Sequence, residues 1–341
     1  MRQGPSGRWG PEETAACRHS PRAARPHAVT KILILGALAA LFFSSTFILN
    51  RAMSLEGGHW FWSASLRYVW MLGLFFLFMA VSGRVRMIGA SFALFGRRPV
   101  FWTVSGGVGF GVFYAMLCYA ASFSPGWVIA ATWQTTILCT PLALLLFGRR
   151  VPLKALAFTT LVFAGVFLVN LEQAGGEPLS RAFLGALPVL VAAFAYPLGN
   201  QMLWEARQGG GRFIPDIDDP VLADGLGRAL MLTIGSIPFW IALYCVVLPP
   251  PPSQGQVLMT ILVALFSGAM ATPLFLSARN QAQSAAELAA ADCTQSLEVV
   301  FSLAGEILLL GGALPGPMGL CGAALTMLGL VLYLVAQNRR A

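Results

Sequence analysis

Acidic side chains are concentrated in one apolar segment near the carboxyl end of the chain. Only fourteen aspartates and glutamates occur in 341 residues. Four of them lie at or within residues 286–310: Glu287, Asp292, Glu298 and Glu306. At about 100° per residue of an α-helix, these acids and Gln295 share one broad face, with Asp292 at its edge. Such a face cannot contact lipid, because a charge inside the hydrocarbon is costly.

A carboxylate near the middle of a membrane helix is the group that a proton relay or a cation site requires. Glu298 would line an aqueous cavity, pair with an arginine or remain protonated. In one interpretation Glu298, helped by Asp292 or Glu306, exchanges a proton for substrate. In a second, Glu298 or Glu306 forms a fixed pair with Arg67, the only arginine well inside an apolar segment. In a third, these acids are helix-end charges.

The composition requires a membrane setting for these residues. The chain is 57% apolar and 11% charged, whereas soluble domains carry about 25% charged residues. A spanning helix needs roughly 20 mostly apolar residues. Ten stretches qualify, which we call spans one to ten: 32–49, 60–81, 100–123, 127–147, 153–171, 184–203, 225–248, 256–277, 286–310 and 317–335. We therefore predict an all-α integral membrane protein with ten transmembrane helices.

The basic residues predict the orientation of these spans. Cytoplasmic loops carry an excess of lysine and arginine, and an inward amino terminus places only Arg51 and Arg181 on the opposite side. Both termini are then cytoplasmic. The net charge of +8 is explained by basic loops that face anionic membrane lipid, so no nucleic-acid partner is expected.

The two halves of the chain resemble each other. LGAL at 35–38 recurs at 184–187, and LLLFGRRVP at 144–152 answers ILLLGGALP at 307–315. We expect a disordered basic tail at 1–30, a first five-helix repeat at 31–174 and a second at 182–338. Because five is odd, the second repeat is inserted in the opposite sense. Inverted repeats are a signature of transporters that work by alternating access.

Polar residues in other spans are candidates for lining a cavity: Asn50, Gln134, Tyr196 and Asn200. Hydrogen bonds between membrane helices use the same residue types. The cysteines show no disulfide or zinc spacing, and all three histidines lie outside the spans. No cofactor and no metal ion are therefore expected.

Three motifs carry a resemblance to a known family. They are SSTFILN at Ser44–Asn50, SLRYVWML at Ser65–Leu72 and TQSLEVVFSLAGE at Thr294–Glu306. Over about 32–337 the chain resembles the drug/metabolite transporter superfamily (EamA-like), and its pattern is closest to the multidrug-resistance efflux branch. In that superfamily spans four and nine usually end in Gly-Glu. Gly305 and Glu306 match this pattern in span nine. When they are aligned with Gly148 and Arg149 of the first half, span four has an arginine where the superfamily usually has a glutamate.

The four-helix small multidrug-resistance relatives carry an essential glutamate in their first helix. This chain has no acid between residues 32 and 50. The resemblance therefore implies transport without implying that helix-one carboxylate.

The expected function is secondary active transport, not enzymatic catalysis. We expect a proton-coupled exporter of a small organic molecule, either a drug-like cation or a metabolite, in the inner (plasma) membrane of a bacterium. Its partners would be that substrate, protons and membrane lipid. The alternatives are a membrane-embedded lipid-modifying enzyme, with Asp292 and Glu298 as acid and base, or a passive channel or lipid flippase. An ATP-driven pump is disfavoured because neither lysine lies in a phosphate-binding loop.

Overall fold

A computed structural model describes residues 26–148, 158–175, 179–211, 213–223 and 225–338. All regular secondary structure in these ranges is helical. The α-helices are α1 (Pro26–Leu55), α2 (Trp60–Val81), α3 (Arg86–Arg97), α4 (Pro99–Gly106), α5 (Phe113–Ala120), α6 (Gly126–Trp133), α7 (Thr136–Leu146), α8 (Thr159–Ala174), α9 (Leu179–Arg207), α10 (Gly225–Val247), α11 (Gln254–Val263), α12 (Thr272–Gln281), α13 (Ala285–Cys293), α14 (Leu297–Leu310) and α15 (Pro317–Asn338).

Nine continuous helical runs within the described ranges are long and apolar enough to cross a membrane. They correspond to every predicted span except span five. The described part of span five is α8, which has 16 residues, whereas residues 153–157 lie outside the described ranges. Ten spanning helices therefore remain a prediction. Helix α1 begins at Pro26, inside the segment that we expected to be disordered, and residues 1–25 are outside the described ranges.

Within the described ranges, four of the spans are not uniform α-helices. Spans three and eight each contain a π-helical segment, at Gly107–Val112 and at Ala264–Ala271. Span four is interrupted at Gln134 and Thr135, and span nine is interrupted by the 3₁₀ turn Thr294–Ser296. The irregularities therefore fall in the third and fourth spans of both halves.

Glycines end spans four and nine in the same way. Gly148 has φ 71° and Gly311 has φ 66°, a left-handed conformation that glycine adopts without steric cost. Aligning these two glycines pairs LLLFG with ILLLG, the longer of the sequence matches. This geometry favours that register over the one that pairs Gly148 with Gly305. Glu306 then lies one turn before the helix end rather than at it.

Several of the contacts between spans are mirrored between the two halves. Span one packs against spans eight and nine, and span six packs against spans three and four. Likewise, span two packs against span eight, and span seven packs against span three. Spans two and seven, four and nine, and α8 and α15 pack against each other. Each of these contacts of the first half thus has a counterpart in the second, or joins equivalent spans.

Helices α8 and α15 approach closely along glycines. A methyl group added to Gly165 would stand 2.5 Å from the Gly322 carbonyl oxygen, and one added to Gly322 would stand 2.6 Å from the Gly165 carbonyl oxygen. Small residues allow membrane helices to pack backbone against backbone. Gly109 of span three faces Gly199 of span six in the same way, with an added methyl 3.0 Å from the Gly199 Cα.

Candidate functional site

The interruption of span nine separates the acids that an ideal helix would align. A 3₁₀ turn advances about 120° per residue instead of about 100°, so three such residues rotate the following helix by roughly 60°. Glu287 and Asp292 precede the turn Thr294–Ser296, whereas Glu298 and Glu306 follow it. The four side chains consequently meet different neighbours.

The two acids of α13 are held by local partners. The Glu287 carboxylate accepts a 2.7 Å hydrogen bond from the Gln283 N–H, and the Glu287 N–H donates to Ser284 Oγ at 3.2 Å. This is a helix N-cap arrangement. Asp292 accepts a 2.7 Å hydrogen bond from an Arg279 guanidinium nitrogen, which forms an ion pair between spans eight and nine.

The Glu306 carboxylate, near the carboxyl-terminal end of span nine, contacts spans one and four. Its Oε2 accepts a 2.9 Å hydrogen bond from the backbone N–H of Gly126, the first residue of α6. Its Oε1 lies 3.8 Å from Arg51 Nε. A carboxylate at the N-terminus of a helix is favoured by the helix dipole. This geometry favours the third interpretation for Glu306, a helix-end charge, with the helix end being that of α6.

Glu298 differs from the other acids of span nine. It lies in the first turn of α14 directly after the 3₁₀ turn, and only 4% of its surface is exposed. Within the described part of the chain, its carboxylate makes no hydrogen bond and no ion pair. Such a buried group requires a proton, water or a ligand, because burying an isolated charge is costly.

Arg67 does not pair with either carboxylate. One terminal nitrogen donates a 3.0 Å hydrogen bond to Ser267 Oγ in the π-helical segment of span eight. The guanidinium carbon stands 4.1 Å from the centre of the Tyr114 ring and 5.7 Å from that of Tyr68. These are cation–π contacts. Across the described ranges, the ion pairs of the chain do not include Arg67, so the predicted fixed pair with Glu298 or Glu306 is absent there.

Asn50, Arg67, Tyr68, Tyr114 and Trp240 form one connected group that we call the Arg67 cluster. Asn50 Nδ2 donates a 3.0 Å hydrogen bond to the Tyr114 hydroxyl. The Tyr68 ring stacks on Trp240 at 5.6 Å and meets Tyr114 edge-on at 5.8 Å. Spans one, two, three and seven contribute to this cluster, and Ser267 adds span eight.

Two other residues predicted to line a cavity, Tyr196 and Gln134, lie beside the aromatic rings of Phe113 and Trp133. Tyr196 packs against Phe113 at 4.9 Å and against Trp133 at 5.8 Å, yet it stays 37% exposed. Gln134, next to Trp133, is buried at the interruption of span four. Asn200 donates to the Tyr196 carbonyl oxygen at 2.8 Å, a bond within its own helix.

Several buried polar atoms of these spans have no hydrogen-bond partner within the described residues. They are Asn50 Oδ1, Ser65 Oγ, Arg67 Nε, Gln134 Nε2, Trp240 Nε1, Gln295 Nε2 and Ser302 Oγ. A buried unpaired group costs about 1–3 kcal/mol, so these atoms are available to water or to a ligand. They come from both halves of the chain, which is the distribution expected of a site between two repeats.

The sequence did not indicate Ser267 or Trp240 as neighbours of Arg67. Both are ordinary residues of apolar helices, and their contacts join segments that are distant in sequence. Nor does any group of three or more histidines, cysteines, aspartates and glutamates in the described ranges lie close enough to hold a metal ion.

Comparisons with known proteins agree with this architecture. Residues 30–339 match the family model described as "EmrE: Putative multidrug resistance efflux transporter". "Uncharacterized protein YjlA" of Bacillus subtilis (strain 168) is 37% identical over 328 residues, which cover 91% of this chain and 96% of that protein.

A Shouchella clausii protein, "Uncharacterized 42.1 kDa protein in intracellular alkaline protease 3'region", is 35% identical over 266 residues, covering 74% of this chain and 66% of that protein. A solved structure described as "Crystal structure of protein" aligns with TM-score 0.55 and 14% identity over 91% of this chain and 99% of that one. At that identity the likeness concerns the fold alone.

The family match spans nearly the whole chain, and it confirms the resemblance drawn from the three sequence motifs. The many apolar helices of this chain make it an integral, multi-pass membrane protein. The chain therefore belongs to the EmrE-type multidrug resistance efflux transporter family.

Proposed function

We propose that the protein is a secondary active transporter that exports a small organic molecule in exchange for protons, with Glu298 as the group that both compete for. The observation that carries this proposal is the isolation of Glu298 among the acids of span nine. Glu287, Asp292 and Glu306 each have a partner of their own, whereas the buried Glu298 carboxylate has none in the described ranges.

A single carboxylate can couple proton flux to substrate flux when its negative charge must always be neutralised by one of the two. In a membrane interior, Glu298 is neutralised either by a proton or by a bound substrate with a positive group. Binding of one then releases the other. Asp292 and Glu306 are less suited to this exchange, because fixed cationic or N–H partners already stabilise their charged forms.

Alternating access is supported by the mirrored architecture. The contacts of span one with spans eight and nine are repeated by span six with spans three and four. The π-helical segments and interruptions recur in equivalent spans. These correspondences favour two repeats at 31–174 and 182–338, and an odd number of spans in each makes them inverted. Two such bundles can rock about a site between them.

The interruptions of spans four and nine would place polar groups at that site. Broken membrane helices are tolerated where they line a cavity. Gln134 lies at one break, and Gln295 and Glu298 lie at the other. The distribution of arginine and lysine favours cytoplasmic termini. In that orientation, protons entering from outside would drive substrate out of the cell.

The proposal can be tested in proteoliposomes with an imposed pH gradient. Ethidium and L-phenylalanine serve as probes, and a pH-sensitive dye reports proton movement. Wild-type protein should move at least one probe against its gradient in exchange for protons. Glu298→Gln should abolish this exchange, whereas Asp292→Asn, matched in helix and in the loss of one charge, should retain it.

Two outcomes would overturn the proposal. Transport by Glu298→Gln at the wild-type rate would exclude Glu298 as the coupling group. Movement of the probes down their own gradients without any response to the pH gradient would indicate a passive pathway. A thermal unfolding curve for each variant separates a loss of coupling from a loss of folding.

A further inference from the structure

We propose that a cavity between the two halves of the chain binds an anionic phospholipid, with its phosphate at Arg97 and Arg98 and an acyl chain along Val100 and Val104. The inference goes beyond the proposed transport, because it concerns a lipid rather than the substrate or the proton. It does not involve Glu298, and its test is a binding measurement that does not depend on transport.

The cavity lies between the beginning of span three and the loop that joins α9 to α10. Its volume is about 610 Å³, within the range of about 300–1,000 Å³ that is usual for small-molecule sites. The first half contributes Arg97, Arg98 and the first turns of α4, and the second half contributes Met202 of α9 and the loop residue Phe213. A ligand in this cavity therefore contacts both halves.

Backbone hydrogen bonds and apolar packing hold the loop side of the cavity. The Gly211 N–H donates to the Ile214 carbonyl oxygen at 2.8 Å, and the Ile217 N–H donates to the Ala206 carbonyl oxygen at 2.7 Å. Ile214 and Ile217 are buried in one apolar cluster with Phe101 of α4. The loop is thus packed against span three, and the cavity is formed before any ligand binds.

Two arginines give the cavity its positive charge. Arg97 Nη1 lies 3.6 Å from a carboxylate oxygen of Asp219, although the Arg97 side chain is 70% exposed. Arg98 is exposed, and its side chain makes no hydrogen bond and no ion pair with the described residues. A guanidinium is permanently charged, and its planar donors match the oxygens of a phosphate. Arg98 is therefore the main phosphate ligand, and Arg97 is the second.

Exposed apolar side chains continue from these arginines along span three. Val100 is 75% exposed and Val104 is 45% exposed, and they lie one helical turn apart on α4. In a bilayer this surface contacts acyl chains. Phe213 is 86% exposed on the loop side of the same cavity. Exposed apolar residues beside polar ones mark surfaces that contact a membrane or a ligand.

An anionic phospholipid fits this combination of charge and apolar surface better than two other ligands. A soluble phosphate would bind the arginines and leave Val100, Val104 and Phe213 unused. Phosphatidylcholine would bring its trimethylammonium group close to two guanidinium groups, which repel it. A phospholipid with a net negative charge avoids both penalties, and basic pockets between membrane helices are suited to such headgroups.

The affinity of the purified, full-length protein for lipid can be measured by native mass spectrometry from detergent. The probes are phosphatidylglycerol, phosphatidylcholine with the same acyl chains, and glycerol 3-phosphate, which has no acyl chain. A basic residue near an anionic headgroup contributes about 1 kcal/mol, which corresponds to about fivefold in affinity. Wild type should therefore bind phosphatidylglycerol about fivefold or more tightly than phosphatidylcholine, and glycerol 3-phosphate most weakly.

Matched variants locate the binding. Arg98→Gln should lower the affinity for phosphatidylglycerol about fivefold and leave that for phosphatidylcholine unchanged. Arg86→Gln removes the same charge from an exposed arginine of α3 that does not line the cavity, and it should change neither affinity. Phe213→Ser, at an exposed loop position, should weaken the binding of both lipids and provides a second variant if Arg98→Gln fails to fold.

Four results would overturn the inference. Equal affinities of wild type for the two lipids would exclude a preference for the anionic headgroup, and equally tight binding of glycerol 3-phosphate would indicate a soluble ligand. An equal loss in Arg86→Gln and Arg98→Gln would indicate the general basic charge of this surface. Unchanged lipid binding by folded Arg98→Gln and Phe213→Ser would exclude the cavity. Failure of proton-coupled transport would leave all of these binding results unaffected.

Discussion

The Glu306 carboxylate caps the first turn of span four, accepting a 2.9 Å hydrogen bond from the backbone N–H of Gly126. This contact joins the carboxyl-terminal end of span nine to the start of span four. A second carboxylate acts similarly, since Glu172 of α8 accepts hydrogen bonds from the N–H groups of Gly316 and Gly319 at the start of α15, at 2.8 and 2.6 Å. Acids at helix ends here stabilise the packing between spans.

Replacing Glu306 should therefore affect stability more than coupling. We expect Glu306→Gln to lower the free energy of unfolding by about 1–3 kcal/mol, because a charge-assisted hydrogen bond and the ion pair with Arg51 are lost. Denaturant unfolding in detergent measures the change. Proton-coupled exchange by the folded fraction should persist. Loss of exchange at unchanged stability would instead place Glu306 in the coupling step.

Because α8 and α15 pack closely, the effect of a glycine-to-alanine substitution on stability should depend on its position. In an exposed helix, replacing glycine with alanine stabilises by up to about 1 kcal/mol. Gly73 of span two has open space around it and should tolerate alanine without loss. Gly165→Ala should destabilise by about 1–3 kcal/mol, because the added methyl meets the Gly322 carbonyl oxygen. Equal thermal stabilities of the two variants would contradict the interface.

His59 should make stability sensitive to mild acid. Its Nδ1 accepts a 3.2 Å hydrogen bond from the Phe61 N–H at the start of α2. Partial burial lowers the pKa of His59 below its ordinary value of 6.5. The unfolded state then binds a proton at higher pH than the folded state, so this stabilisation is present above pH 6.5 and is lost as the pH falls through the lowered pKa.

The matched variant is His59→Asn, which keeps a helix-capping acceptor but does not titrate. Relative to this variant, wild type should lose about 1 kcal/mol, the usual contribution of an N-cap, between pH 7.5 and 5. Thermal unfolding at both pH values gives the difference. A constant difference across this range would show that the His59 cap does not titrate.

The predicted orientation can be tested by labelling single cysteines. Cys245 and Cys321 are exposed and should first be replaced with serine. In intact cells, an impermeant maleimide should then label Gln254→Cys but not Arg84→Cys. Labelling of both residues from outside would contradict the arrangement of spans that places both termini in the cytoplasm.

The bounds of many helices could be predicted from the length of the apolar segments in the sequence. Span two was predicted at 60–81 and forms Trp60–Val81, and span seven at 225–248 forms Gly225–Val247. The interruptions were not predictable in the same way. Pro188, Pro197 and Pro238 lie inside continuous helices, whereas the break in span nine falls at Thr294–Ser296, which contains neither proline nor glycine.

The partners of the candidate site residues were also beyond the reach of sequence patterns. The sequence predicted functional roles for Glu298 and Arg67, because a charged side chain inside a membrane span is costly and is usually retained for function. It could not show that Glu306 contacts Gly126, 180 residues away, or that Arg67 rests on Tyr114. Such contacts depend on how spans pack, and packing is determined by many ordinary side chains together.

Competition between substrate and proton at Glu298 is the central claim, and proton release on binding measures it most directly. Purified protein in weakly buffered solution is saturated with L-phenylalanine or ethidium at pH 6, 7 and 8 while a pH-sensitive dye is followed. Wild type and Asp292→Asn should release protons at one or more of these pH values, and folded Glu298→Gln should release none. Undiminished release from Glu298→Gln, or saturation of wild type without release at any pH, would contradict the account.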